Sequence, residues 1–197
     1  MTPILILAAG RSSRMQGQDK LALPVAGVPL LRDRALAALG TGSPVHVVLP
    51  GHDHPRAAFL DGLPVTLLVA PDAAQGLSHS LRAGVAGLPP CRRFLVLLAD
   101  LPEITTADMT AVLAAPTRHP AALIWRGATS DGAPGHPVLF DAALRPAFAT
   151  LSGDTGAEPL IRAHHDRSVL VPLPGRHARH DLDTPEDWAA FRAETGR

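Results

Sequence analysis

The stretch ILILAAGRSSRMQGQDKL, residues 4–21, decides the fold. Ile4-Leu5-Ile6-Leu7 is a continuous apolar run of strand length, and it stops abruptly at Ala8-Ala9-Gly10. Small residues follow, with Arg11, Arg14 and Lys20 among them. Gly10 allows a tight turn and a close approach of the backbone to a bound group. Successive backbone N–H groups in such a loop form an anion-binding nest. A buried strand that opens into a small, cationic loop suits a phosphate chain, although a solvated basic loop between strand and helix has the same local composition.

Working outward, further short apolar runs recur at Val45–Leu49, Val65–Val69 and Phe94–Leu98. They are continuous rather than alternating, as expected for strands covered on both faces. Helix patterns lie between them at Pro29–Leu39 and Leu77–Leu88, the second with Leu77, Leu81, Val85 and Leu88 on one face. Alternating strands and helices predict an α/β fold with a mostly parallel central sheet, helices on both faces and right-handed crossovers. Beyond Leu101 the order changes. Helices are expected at Thr105–Ala114, Asp141–Thr150, Thr155–Ala163 and Pro185–Glu194, the last capped by Thr184. Strands are expected at Ala121–Trp125, Pro137–Phe140 and Ser168–Val171, with a loop at Asp131–Gly135. No repeat or low-complexity linker interrupts the chain, so residues 1–197 are expected to form one domain.

Bulk properties exclude several classes. The 197 residues are 46% hydrophobic, enough for one sizeable core, and the formal net charge is zero. A nucleic-acid binder would show a basic excess, and the absence of Tyr beside two Trp and five Phe argues against a base-stacking platform. One cysteine, Cys91, rules out an internal disulfide framework and a cysteine zinc site, and it is expected to be a packing or surface residue. The apolar run at residues 4–9 has no basic leader and is cut short by Arg11, so it reads as neither signal peptide nor membrane span; a cytoplasmic protein is expected. His52 and His54, His164 and His165, and the histidines of residues 176–180 are read as solvated loop or helix positions, and Asp131 as a turn residue.

Ligands of open α/β sheets sit beyond the carboxyl ends of the strands. The opening loop lies there, but it matches neither familiar phosphate loop. Ser12 stands where the dinucleotide fingerprint needs its second glycine, and Gln18 follows Gly17 where a P-loop needs lysine. An NAD-dependent oxidoreductase is therefore disfavoured. Leu98-Ala99-Asp100-Leu101-Pro102 ends another strand with a carboxylate at the same sheet edge, although a turn carboxylate is the plainer reading. His180-Asp181-Leu182-Asp183-Thr184-Pro185 supplies two more acids before a helix. Asp181 and Asp183 are expected to diverge, so that one of them faces the site. Glu186 and Asp187 suit a helix N-terminus. Two carboxylates meeting phosphates imply Mg²⁺, a hard cation bound through oxygen.

Taken in order, LAAGRSSRM…DKL, QGLSHSL, LADLP, GHPVLF, GDTGA and DLDTPED resemble the MobA/MocA-like nucleotidyltransferases, closest to the molybdenum cofactor cytidylyltransferase type. The motifs run from Leu7 to Trp188. The resemblance implies a three-layer Rossmann-like nucleotidyltransferase fold. It also implies transfer of a nucleoside monophosphate from a triphosphate to a phosphorylated acceptor, with release of pyrophosphate: CMP from CTP to molybdopterin. Leu7, Ala8, Ala9, Gly10, Arg11, Ser12, Ser13, Arg14, Lys20, Gln75, Gly76 and Ser78 would bind the nucleotide. Lys20, Arg14 and Asp100 would be catalytic, and Asp100 and Asp183 would hold Mg²⁺. Gly135, His136, Pro137, Gly153 and Asp154 would face the acceptor. A molybdoenzyme or its maturation chaperone would be the partner, with no nucleic acid and no membrane. LAAG favours cytidylyl over guanylyl transfer, whereas Asp19 before Lys20 is similar to the guanylyl form. Glu158 stands where the cytidylyl type tends to carry arginine, which bears on the acceptor. A guanylyltransferase, a transferase acting on another phosphorylated small molecule, and a non-catalytic cofactor-binding accessory protein are the alternatives.

Overall fold

The computed structural model describes residues 1–197. Its centre is a seven-stranded sheet built on β1 (Ile4–Leu7), β4 (Val45–Leu49), β5 (Val65–Val69), β6 (Arg93–Leu98), β7 (Ile124–Ala128), β8 (Pro134–Asp141) and β9 (Ser168–Pro172), in the order β5-β4-β1-β6-β8-β7-β9. β8 alone runs antiparallel to its neighbours. Two-residue strands β2 (Pro24–Val25) and β3 (Val28–Pro29) form a separate small hairpin.

Side-chain alternation in β1 distributes the core. Ile4 and Ile6 face α1 (Leu30–Leu39), α3 (Thr106–Ala114) and α6 (Pro185–Thr195). Leu5 and Leu7 face α2 (Leu77–Gly87), α4 (Arg145–Phe148) and α5 (Glu158–Ala163), where Phe94, Phe140 and Phe148 pack ring against ring. The result is the expected three-layer α/β sandwich. Helix starts follow local chemistry. Thr105 with Asp108, and Thr184 with Asp187, form capping boxes, and Pro185 occupies the first turn of α6.

Four details differ from the sequence expectation. β5 is the edge strand and none of its residues is fully buried: Val65 and Leu67 pack partly on one face, Leu68 on the other, and Thr66 is exposed. β7 starts at Ile124 rather than Ala121 and continues through Gly127, a glycine at which a Cβ would lie 2.6 Å from the His136 carbonyl oxygen. Here glycine marks a close backbone approach rather than the end of a strand. Asp141 caps a short 3₁₀ turn, Ala142–Leu144, and Pro146 in the first turn of α4 marks the restart, so the expected ten-residue helix is two short turns. α5 begins at Glu158, with Pro159 in its first turn, after the 155–157 segment has completed a loop.

The sheet sets the site by register. Leu7 pairs with both Val48 and Leu98. The chain therefore leaves β1 at Ala8 and β6 at Ala99 side by side, with Ala99 N–H donating to Leu7 O at 3.2 Å. Arg34 of α1, nearly fully buried, donates to the carbonyls of Leu101 and Ile104 and holds the turn after Asp100.

Candidate active site

An open cleft of about 410 Å³ lies beyond the carboxyl ends of β1 and β6, within the size range of small-molecule sites. Ala8 to Arg14 form one wall, and Asp100, Asp181 and Asp183 another. Ala73, Ala74, Gly76, Leu77 and Ser80 close the side from the start of α2. Gly76 has φ +124° and packs directly on Gly153 and Asp154, where any Cβ would collide. This close approach joins the QGLS and GDTG segments into one rim.

Lys20 enters from a short 3₁₀ turn, Lys20–Ala22, capped by Asp19. Its Nζ donates to Asp100 Oδ2 at 2.5 Å and to Asp183 Oδ1 at 2.7 Å. Arg14 Nη2 reaches Asp183 Oδ2 at 2.7 Å. Burial alone would push the Lys20 ammonium down, but Asp100 and Asp183 outweigh it and hold the group above its ordinary value. Asp183 is held below its ordinary value: burial opposes ionisation, and the Lys20 hydrogen bond and charge prevail. Asp181 is pushed up by burial, by its hydrogen bond with Asp183 and by the charge of Asp183 and Asp100. Lys20 is the chain's one lysine.

Asp181 and Asp183 both line the cleft, contrary to the expectation that they diverge. In extended chain, residues two apart share a face, and Leu182 between them is fully buried on the other side. The segment is fixed by Leu182 N–H donating to Asp100 O at 3.1 Å, and upstream by His180 against Glu103 at 2.6 Å and His177 against Asp108 at 2.9 Å.

Other expected residues separate. Ser78 does not reach the cleft: it is fully buried and its Oγ donates to Ser152 O at 3.1 Å, fastening α2 to the 152–153 loop. Gln75 turns outward to Asp72 at 3.2 Å. Asp154 lines the cleft, whereas Gly135, Pro137 and Gly153 do not. Gly135 packs on the Ala178 carbonyl with no room for a Cβ. His136 borders a separate small cavity of about 80 Å³, which shares Leu7, Leu77 and Leu98 with the main cleft. Arg126 and Glu158 pair in that cavity at 3.2 Å. Sequence reasoning missed Ser80, Arg126 and Arg56, which no local pattern marks, whereas the period-two spacing of Asp181 and Asp183 was a signal for their shared side.

His136 Nδ1 is buried without a partner, and burial pushes the imidazole down to about 4. The unfolded chain binds this proton near pH 6.5 and the folded chain does not until about pH 4. Stability from the neutral ring is thus complete above pH 6.5 and lost as pH falls toward 4, by up to roughly 3 kcal/mol. His136→Gln should flatten the melting-temperature decline across that window relative to wild type.

The donor chemistry suits a hard divalent cation. Asp100 Oδ1 is buried and unpartnered. No group of three or more His, Cys, Asp or Glu is arranged to hold an ion unaided. Mg²⁺ characteristically takes one or two carboxylates and completes its shell with water and substrate phosphates, which is the set Asp100 and Asp183 offer.

Comparison with known proteins agrees with this geometry. Residues 4–168 match the MobA-like NTP transferase domain. Nicotine blue oxidoreductase of Paenarthrobacter nicotinovorans is 30% identical over 92% of both chains. A molybdenum cofactor guanylyltransferase of Xanthomonas euvesicatoria is 30% identical over 94% of this chain and 91% of its own. Among solved structures, Rv0371c of Mycobacterium tuberculosis superposes with a TM-score of 0.82, at 25% identity and 96% coverage of each chain. It has also been solved in complex with manganese. No helix in this chain is long and apolar enough to cross a membrane. With the loop after β1, the strand-end carboxylate and the sheet order all in place, the chain belongs to the MobA-like NTP transferase family, a family of nucleotidyltransferases.

Proposed function

We propose that this protein transfers CMP from CTP to the phosphate of molybdopterin, with Mg²⁺, and releases pyrophosphate. The observation that carries the reading is the meeting of Lys20 and Arg14 with Asp100 and Asp183 at the mouth of the Ala8–Arg14 loop. The loop's backbone N–H groups and Arg11 suit the triphosphate. An oxygen of the acceptor phosphate attacks the α-phosphorus, and the bond from that phosphorus to pyrophosphate breaks. No protein nucleophile is needed, so positioning and charge neutralisation supply the catalysis. Lys20 and Arg14 neutralise the charge that gathers on the α-phosphate and the leaving group. Asp100 and Asp183 would hold Mg²⁺, which supplies further positive charge to the phosphates.

Cytosine is favoured by the LAAG resemblance, in which Ala9, a buried residue lining the cleft, stands where the guanylyl form carries glycine. The acceptor side keeps one guanidinium, Arg126, half-neutralised by Glu158. The oxidoreductase name of one relative makes redox turnover the competing reading. The test is pyrophosphate release with Mg²⁺ and molybdopterin across CTP, GTP, ATP and UTP, with NADH and NADPH oxidation followed in parallel. Turnover confined to CTP is expected. Turnover with GTP moves the protein to guanylyl transfer, and nicotinamide oxidation without pyrophosphate release overturns nucleotidyl transfer.

A further inference from the structure

Arg56 lies outside the cleft and outside every motif of the chain's catalytic reading, yet it is 3% exposed and fully engaged. It sits on the 3₁₀ turn Pro55–Leu60, where its own backbone N–H donates to His54 Nδ1 at 3.3 Å. Its Nε and Nη2 grip both oxygens of Asp19, at 2.7 and 2.8 Å. Nη2 also reaches Ser12 Oγ at 3.3 Å, and Nη1 donates to the Ala8 carbonyl. One planar guanidinium thus pins the exit of β1, the turn of the phosphate loop and the residue before Lys20.

The pinned groups are themselves linked. Ser12 has φ +52°, a left-handed conformation that costs a non-glycine residue and must be held by its surroundings. Its Oγ donates to Asp19 at 3.4 Å and accepts the Lys20 backbone N–H at 3.3 Å. Asp19 accepts the Leu21 N–H at 3.0 Å and so starts the turn that aims Lys20 between Asp100 and Asp183. Burial would push Asp19 up, but the hydrogen bond and charge of Arg56 hold it below its ordinary value.

We propose that Arg56 is the positioning residue of the site: it fixes the curvature of the phosphate loop and the root of Lys20 from outside the cleft. Lysine cannot replace it, because a single ammonium lacks the fork that spans a carboxylate, a hydroxyl and a carbonyl together. The proposal rests on the nucleotidyl-transfer reading. Wild-type pyrophosphate release is therefore measured first, and its absence refutes that reading without touching Arg56.

Given wild-type turnover, R56K should lower kcat/KM for the nucleotide by roughly 10–100-fold, the size of a small misplacement at a reacting centre. KM for the acceptor should stay unchanged, a split that general destabilisation would not produce. D19N should lose a similar factor, and the R56K D19N double variant should lose little more, because both break one unit. Guanidinium ion should restore part of the activity of R56A, and methylammonium should not. S12A, a change in the exposed loop, keeps the test alive if the Arg56 variants fail to fold; it should lose roughly 5–10-fold in nucleotide kcat/KM. R56K within threefold of wild type, losses that add fully between R56K and D19N, or an acceptor KM that rises in step would each overturn the proposal.

Discussion

Lys20→Ala is expected to lower the rate of pyrophosphate release by about 10²–10³-fold at saturating nucleotide and metal, the usual consequence of deleting one preorganised electrostatic stabiliser. Lys20 Nζ stands between Asp100 and Asp183, the two groups proposed to hold the metal, so its charge is central to the site. Its ammonium is held above its ordinary value, which keeps it cationic at neutral pH and makes proton transfer an unsuitable role. Neutralisation is the role left. The composition points the same way: 17 of the 18 Lys and Arg residues are arginine, and the chain's one lysine stands here. A compact point charge on a flexible stem can leave two carboxylates for a phosphate, whereas a planar fork cannot fit between them as readily.

The variant should remain folded. Removing one member of a buried ion pair costs about 3–5 kcal/mol, but Arg14 still covers Asp183 and the carboxylates face an open cleft that water can enter. A loss of about 1–3 kcal/mol is expected, read from urea unfolding. Lys20→Arg should recover less than about a tenth of the lost rate. A fall below threefold in folded Lys20→Ala would remove charge neutralisation by Lys20 from the mechanism. The single lysine also permits a direct check, since a 2′,3′-dialdehyde CTP reduced onto the protein has only Lys20 and the terminal amine to label, and CTP should protect Lys20.

Much of this site was legible because its parts sit where continuous apolar strands end. β1 is a short, wholly apolar run and β6 is apolar after Arg93, and the residues that end them, Ala8-Ala9-Gly10 and Asp100, are cleft residues for that reason. What escaped the sequence depends on contacts distant along the chain. Ser78 shares the Gln75–Ser78 segment with Gly76, yet its hydroxyl is consumed by the Ser152 carbonyl. Nothing local distinguishes a serine on the inner face of α2 from one on the cleft face. Arg56, 37 residues from Asp19, sits in a loop whose composition suggests only solvation. Glu158 could be recognised as out of place, but its partner Arg126 is brought to it by β7, an element whose start the sequence placed three residues early. The divergence expected of Asp181 and Asp183 failed for a simpler reason: a spacing of two keeps residues on one side.

That shared side gives the second large prediction. Asp100→Asn and Asp183→Asn should each lower turnover by about 10²–10³-fold and raise the metal concentration needed for half-maximal rate, whereas Asp181→Asn should change the rate less than about threefold. The geometry separates the three acids. Asp100 presents one oxygen to Lys20 and keeps the other buried and free. Asp183 spends its oxygens on Lys20 and Arg14 and is held well ionised. Asp181 bonds to Asp183 rather than to either cation and is pushed up by burial, by that bond and by the charge of the two acids beside it, so it takes up its proton before Asp183 does as pH falls. A protonated Asp181 donates to Asp183, and the amide of asparagine preserves that donor, while at Asp100 or Asp183 an amide removes the charge that would hold a cation. The pattern is read by titrating Mg²⁺ and Mn²⁺ against rate for the three variants. Equal losses at Asp181 and Asp183 would make Asp181 a direct ligand. Loss at Asp181 with none at Asp183 would reverse the assignment, leaving Asp183 as the counter-ion that holds Lys20 and Arg14 in place.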